Sequence, residues 1–371
     1  MIKALTPFLS LIYLIITFSC GIFYLRDFKR KGAILACVLL LAFSNLYLLW
    51  YETPYAIWFD GLSVVAILAL VYLLEYKTAF KVLSLVEGIY LVLLILGKTV
   101  FAHTPQGLAL LCIAFLLKLA VFPVFLWLPI VVKTIDAITA GFFICSFELI
   151  DFVLLWRVIE EASLFPQFFL MLKELLLLIG ILTLLFGAGL ALCERNLKKL
   201  LAYATIDDTG YLLIGLSLFS PASLYGAIIL WINHVIAKLG LFFIVYQIEK
   251  NNHPLFLGRI KGLAKYYPGL AFSFLVFALT LIGVPILPGF WGKLFLYQEV
   301  LKISKPLFGF MLLGSCLTLV YFIRAYHSLF LGAEEEEKVK SPLPKLESGL
   351  IMFLSLTIVL SFFMLSFFKG W

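Results

Sequence analysis

Apolar residues fill this chain in runs of about twenty, separated by short polar joints. They show neither the strict alternation of a half-buried strand nor the one-sided stripe of a soluble helix. A membrane-crossing helix needs about 20 apolar residues at about 1.5 Å rise each. On that rule the pattern predicts spans near 4–25, 33–50, 56–76, 79–97, 106–131, 137–156, 168–192, 203–219, 222–248, 269–286, 289–304, 306–331 and 348–368. The pair flanking Pro288 reads equally as one broken element, so the expected count is about eleven to thirteen. Most joints are short and no soluble domain interrupts them. The chain 1–371 therefore reads as a single all-α, polytopic membrane domain, with 105–331 as its core and 1–104 as the helices before it.

Composition turns this reading into an exclusion. Of 371 residues, 64% are hydrophobic and only 13% charged, with a mean hydropathy of +1.12. A soluble domain carries about 25% charged residues, and a water-soluble globule of this size could not hide so much apolar surface. A soluble enzyme, a nucleic-acid-binding module and a disordered tail are excluded. The net charge of +7 gathers between apolar runs, at Arg26-Lys29-Arg30-Lys31, Arg195-Lys198-Lys199 and Arg259-Lys261-Lys265. Alternation with the N-terminus outside places these loops on the inner face of a cell membrane, where the positive-inside bias wants them. The acidic run Glu334 to Glu337 then falls on the opposite side. The N-terminal stretch Ala4 to Leu25 exceeds a signal-peptide core of about 7–15 residues and reads as a retained helix. Six scattered cysteines, without a CxxC pair, read as small buried residues rather than a metal or disulfide framework. No cofactor is expected in this chain.

The informative residues are those that hydropathy disfavours. Lys118 sits about a dozen residues into an apolar run. Glu148 and Asp151 lie three apart, and His234 and Lys238 four apart, so each pair shares a helix face. Asp207 and Asp208 follow the basic joint at Lys199 by about 12–13 Å of helix, and Lys293 follows a proline-rich break. Each charge at the bilayer centre costs about 2.5–3.5 kcal/mol on insertion scales, so several in one chain imply an offsetting use. A row of alternating basic and acidic groups bridged by water can relay protons. Other readings stay open residue by residue. A single Lys or His serves as a structural ion pair, Asp207 and Asp208 as helix caps, and Glu75 with Lys77 or Lys173 with Glu174 as interfacial pairs. Pro123, Pro129, Gly283, Pro285 and Pro288 interrupt spans, either as packing kinks or as breaks that line an ion path.

At these residues the sequence resembles the antiporter-like membrane subunits of respiratory complex I, membrane-bound hydrogenases and multisubunit cation/proton antiporters. Lys118-Leu-Ala-Val-Phe-Pro123-Val-Phe-Leu-Trp127-Leu-Pro129 is similar to that family's lysine–proline–tryptophan-leucine-proline signature. Arg195-Asn-Leu-Lys198-Lys199-Leu-Leu-Ala-Tyr203 resembles its helix start, and His234 with Lys238 its histidine-x-x-x-lysine helix. Gly283-Val-Pro285-Ile-Leu-Pro288-Gly289-Phe290-Trp-Gly-Lys293 resembles its glycine-proline break. The resemblance implies two inverted helical repeats, each with a broken helix and a buried lysine. It implies proton translocation in a complex I-type NADH:quinone oxidoreductase, within the cytoplasmic membrane and beside other membrane subunits, with quinone and NADH held at partner subunits. By length the chain is nearest the smallest such subunit. Lys238 would hold a central proton supplied by His234, Lys293 would pass it outward, and Lys118 with Glu148 and Asp151 would bias Lys238.

Departures from the family pattern are also visible. Asp207 and Asp208 stand where the family usually has serine and histidine, and Glu148 where it often has lysine. Phe59-Asp60-Gly61-Leu62-Ser63 resembles an early helix start, yet Lys118 follows in far fewer residues than usual, as if two helices were missing. Glu75 or Glu87 would then partner Lys118. A hydrogenase or formate-oxidising complex, a Na⁺/H⁺ antiporter and a non-conducting structural subunit are the rival readings.

Overall fold

The computed structural model describes residues 2–27, 31–50, 56–251, 254–259, 261–332 and 345–367. Lys29, Arg30 and the run Glu334 to Glu337 lie outside the described residues. The fold is all-α. In chain order the helices are α1 (Ile2–Asp27), α2 (Lys31–Trp50), α3 (Ala56–Leu73), α4 (Lys77–Ile95), α5 (Pro105–Lys118), α6 (Trp127–Thr134), α7 (Ala137–Ala162), α8 (Pro166–Cys193), α9 (Leu197–Leu218), α10 (Pro221–Lys250), α11 (Leu263–Tyr266), α12 (Pro268–Ile282), α13 (Pro288–Ile303), α14 (Lys305–Phe330) and α15 (Lys345–Phe367). A π-helical turn, Leu96–Val100, extends α4. Among the described residues, seven helices are long and apolar enough to cross a membrane by length and composition, and shorter apolar helices join them.

Two compact units divide the chain, Met1–Leu172 and Lys173–Trp371, with the boundary inside α8. Each is built around one enclosed helix. In the first, 94% of the apolar window of α7 is buried; in the second, 89% of that of α10 is. Helices that charge the interior must be covered by protein rather than lipid, and these two carry Glu148, Asp151, His234 and Lys238. By contrast only 28% of the window of α14 is buried, so it lies at the rim of its unit.

Local chemistry fixes the ends of the enclosed helices. Asp136 caps α7 by accepting from Thr139 N at 2.9 Å. It also receives Tyr76 Oη at 2.7 Å. Ser220 and Ser223 form a reciprocal capping box at the start of α10, which satisfies two of the amides a helix start leaves open. Asn196 caps α9, so Asp207 and Asp208 lie in mid-helix and do not cap its start. Arg157 of α7 donates to Leu48 O at 2.8 Å and Leu49 O at 2.9 Å, closing the carbonyl end of α2.

The expected interruptions are refined. The run 106–131 is two helices, and Lys118 is the last residue of α5 rather than a mid-helix position. The chain then turns through Ala120, whose φ of 52° is left-handed. Pro123 lies in this break, whereas Pro129 sits in the first turn of α6. There its missing amide breaks no helical bond. In the second unit α12 stops at Ile282, Gly283 turns with φ 89°, and Pro288 begins α13. Glu75 and Lys77 are exposed at the α3–α4 turn. The cysteines divide: Cys20, Cys112 and Cys145 are buried, Cys37 is intermediate, and Cys193 and Cys316 are exposed, all free. The expectation of uniform burial is corrected because Cys193 ends a helix and Cys316 lies on the outer side of α14.

Candidate proton-relay sites

In the first unit the break after α5 delivers Lys118 into a nest of acids and rings. Its Nζ lies 3.2 Å from Asp151 Oδ1 of α7 and 3.5 Å from Asp60 Oδ1 of α3. It also rests 4.3 Å over the Tyr90 ring and 4.5 Å over the Phe147 ring. Tyr90 Oη donates a short hydrogen bond to Asp60 Oδ2. Glu87 stands one turn before Tyr90 on α4, wholly buried, and neither of its oxygens has a hydrogen-bond partner among the described residues. Glu148 lies one turn before Asp151 and, with Lys118 and Trp127, lines a small cleft. The carbonyl of Leu117, which accepts from Ala120 N in the turn, also accepts from Trp127 Nε1 at 3.1 Å, so the tryptophan of the sequence signature ties the broken helix while shaping the site.

Breaking one partner from a buried ion pair costs about 3–5 kcal/mol, so Lys118 locks α3, α5 and α7 together. Of the sequence-stated alternatives, Glu75 is remote and Glu87 is the buried one. Yet the contact partners are Asp60 and Asp151. Asp60 was noted from the sequence only as part of a helix start. The rule that singled out Lys118 applies to it as well: it is a lone acid in an apolar run.

In the second unit α9 and α10 place Asp208, His234 and Lys238 together. Asp208 Oδ2 lies 3.0 Å from His234 Nδ1 and 3.2 Å from Lys238 Nζ. The side chain of Lys238 is fully buried. The His–Lys spacing of four residues puts both on one face of α10, and one carboxylate oxygen collects them. Lys293, in the second turn of α13, donates to Ile282 O at 3.2 Å and Ser315 Oγ at 3.1 Å. Its ammonium rests 4.4 Å over the Tyr211 ring. A water-sized cleft lined by Asp208, Tyr211, Asn233, His234 and Lys293 joins the two groups. Imidazole, ammonium and carboxyl can each gain or lose a proton, and contacts of 3.0–3.2 Å are hydrogen-bond reach for its transfer.

The break beside this cleft is stapled from α10. Thr280 Oγ1 donates to Asn233 Oδ1 at 2.6 Å, and Asn233 Nδ2 returns a longer contact to Thr280 O at 3.5 Å. Gly289 is required at the start of α13, because a Cβ there would lie 1.7 Å from Thr280 O. Asn233 thus holds the break next to His234, its neighbour in sequence. Sequence reading missed Asn233 and Thr280, since uncharged polar residues in apolar helices draw no attention by hydropathy.

Comparison with known proteins accords with this geometry. The family described as NADH:quinone oxidoreductase/Mrp antiporter, TM, matches residues 55–318. NADH-quinone oxidoreductase subunit N of Wolbachia sp. subsp. Brugia malayi is 29% identical over 238 residues, covering 63% of this chain and 50% of that protein. The chain spans about half the length of the curated relatives it matches. In structure it is similar to a chain of the Mrp complex from Dietzia sp. DQ12-45-1b (TM-score 0.85, 19% identity, 99% of this chain and 81% of that one). It is also similar to a chain of respiratory complex I from Thermus thermophilus with bound NADH (TM-score 0.83, 23% identity, 99% and 82%). With its broken helices, buried lysines and a match running over most of its length, the chain belongs to the NADH:quinone oxidoreductase/Mrp antiporter transmembrane family.

Proposed function

We propose that this chain is a proton-translocating, antiporter-like membrane subunit of a redox-driven pump of the NADH-quinone oxidoreductase type, corresponding to subunit N. The observation that carries this reading is Lys238, fully buried and 3.2 Å from Asp208, with His234 on the same carboxylate oxygen. In this reading Lys238 holds the central proton and His234 supplies it through the cleft. Asp208 stabilises whichever of the two is charged, and Lys293 passes the proton outward. Lys118, with Asp151 and Glu148 beside it, forms the corresponding proton-holding group of the first unit. The chain acts as part of a translocase and carries no redox centre of its own. NADH and quinone bind partner subunits, and other membrane subunits flank it in a cytoplasmic membrane with its N-terminus outside.

The test is a Lys238→Ala variant in the intact complex, reconstituted in liposomes, with protons moved per turnover as the readout. Loss of this chain's share of the stoichiometry is expected; full stoichiometry sinks the proposal. Similarity to an Mrp complex chain supports a second reading, exchange of Na⁺ for H⁺. Na⁺ flux driven by a pH gradient in the same liposomes would favour that reading.

A further inference from the structure

The second unit contains a buried acid that this mechanism leaves idle. Asp207 precedes Asp208 on α9, so the two side chains leave the helix about 100° apart. Asp208 turns to α10. Asp207 turns to α14, where its Oδ2 accepts from Thr318 Oγ1 at 2.7 Å and from Tyr321 Oη at 3.0 Å. Asp207 is wholly buried, and its Oδ1 has no hydrogen-bond partner among the described residues. The groups that bind it are neutral hydroxyls, whereas Asp208 is bound by an imidazole and an ammonium. If Asp207 served packing alone, a serine or asparagine would meet the same two donors without burying a titratable group.

A seam of hydroxyls continues from this point. Tyr211 is four residues after Asp207 on α9, and Ser315, Thr318 and Tyr321 fall three apart on α14, so each set forms one stripe. Ser315 Oγ is shared by Tyr211 Oη at 2.6 Å, Tyr297 Oη at 2.6 Å and Lys293 Nζ at 3.1 Å. The seam therefore has two rungs, Asp207 with Thr318 and Tyr321, then Ser315 with its tyrosines and Lys293. One helical turn, about 5 Å, separates them. A hydroxyl both donates and accepts, and one bridging water spans such a gap.

We propose that Asp207 is a proton-holding relay residue, and that the hydroxyls of Thr318, Tyr321 and Ser315 carry its proton along α14 to Lys293. This is a second branch beside the Asp208–His234 cleft, and it rests on the reading of the chain as a proton translocator. The balance is simple. Asp207 gives up its carboxyl proton to a neighbouring oxygen, each hydroxyl passes on its own proton as it receives one, and neutral Lys293 ends as the ammonium. No electron moves.

The test uses the intact complex in liposomes, with proton uptake per turnover followed by a pH-sensitive dye. Asp207→Asn keeps an acceptor for Thr318 and Tyr321 but holds no proton; loss of part of this chain's share of the protons moved per turnover is expected, with Asp207→Glu restoring at least half of what is lost. Ser315→Ala leaves the Asp207 contacts in place and is expected to lose a comparable part of that share at wild-type abundance of the chain. Infrared difference spectra on labelled aspartate should show a carboxyl band that changes with pH and is missing in Asp207→Asn, a signal that packing alone would not produce. Wild-type uptake in both Asp207→Asn and Ser315→Ala, with Lys238→Ala losing this chain's share, overturns the branch and leaves the main reading standing. Full uptake in Lys238→Ala removes the main reading itself. If Asp207→Asn does not accumulate, Ser315→Ala and the wild-type infrared band decide, and wild-type uptake or a silent band counts against the proposal.

Discussion

Asp60 and Lys118 are 58 residues apart in sequence, yet their charged atoms meet 3.5 Å apart inside the first unit. Tyr90 braces the acid from its other oxygen. Asp60→Asn leaves Lys118 with Asp151 as its contact partner and leaves Tyr90 a neutral acceptor. A buried hydrogen-bonded charge contributes about 1.5–3 kcal/mol, and a loss of that size is expected in thermal unfolding of the purified protein. Asp60→Ala, which also opens a gap, is expected to lose more. An unchanged melting curve for both would remove Asp60 from the site.

The staple at the second break makes a sharper prediction. Thr280→Val keeps the shape of the side chain but removes the donor to Asn233 Oδ1. A buried acceptor left unsatisfied costs about 1–3 kcal/mol. Thr280→Ser keeps the hydroxyl and is expected to retain most of the stability. Melting temperatures of the two variants, compared side by side, check the difference.

Gly289→Ala has less room to succeed. The added Cβ would meet Thr280 O at 1.7 Å, a backbone atom that cannot swing away. The break must therefore open, and a cost above about 3 kcal/mol is expected, at the level of severe overpacking. Immunoblotting of the membrane fraction should show little of the chain. Gly309→Ala, where an added Cβ meets nothing within 4 Å, serves as the control and should accumulate normally.

Outside the spans, Glu194 tests the joint between α8 and α9. Partial burial alone would raise its carboxyl. The amides of Asn196 and Arg195 and the Lys199 ammonium at 2.6 Å outweigh that and hold it below the ordinary carboxylate value. A group lowered on folding contributes stability above its unfolded value and loses it as pH falls through the folded one. Glu194→Gln should therefore match the wild type near the acid limit and fall behind it at neutral pH. Partly exposed pairs contribute about 0–1 kcal/mol, so the gap should be small and shrink in high salt. Melting curves across a pH series, with a salt control, measure both.

Much of the fold was legible in the sequence because its apolar runs are long and its joints are short. Thirteen expected spans fall on helices of the structure, and the proline-rich segment at 283–288 is the break it suggested. Lys118, Asp151, His234, Lys238 and Asp208 were visible for one reason, the cost of charge in hydrocarbon. Which acid meets which base was not visible. Asp60 of α3 reaches Lys118 at the end of α5, and the adjacent Asp207 and Asp208 turn to different neighbours, α14 and α10. Spacing along one helix predicts faces, while partners depend on how helices are set against each other. Thr318, Tyr321, Ser315 and Asn233 were missed because a hydroxyl or amide costs little in an apolar run and stands out only when its acceptor is seen.

The break after α12 has a consequence beyond the room it makes. Lys293 donates to Ile282 O, the terminal residue of α12. Aligned peptide dipoles leave about half a negative charge at a helix C-terminus. The C-terminus of α12 is thus a fixed negative pole facing the Lys293 ammonium, built from backbone rather than from side chains. The peptide chain itself therefore favours an ammonium at this break, a contribution that removal of a neighbouring acid side chain leaves in place.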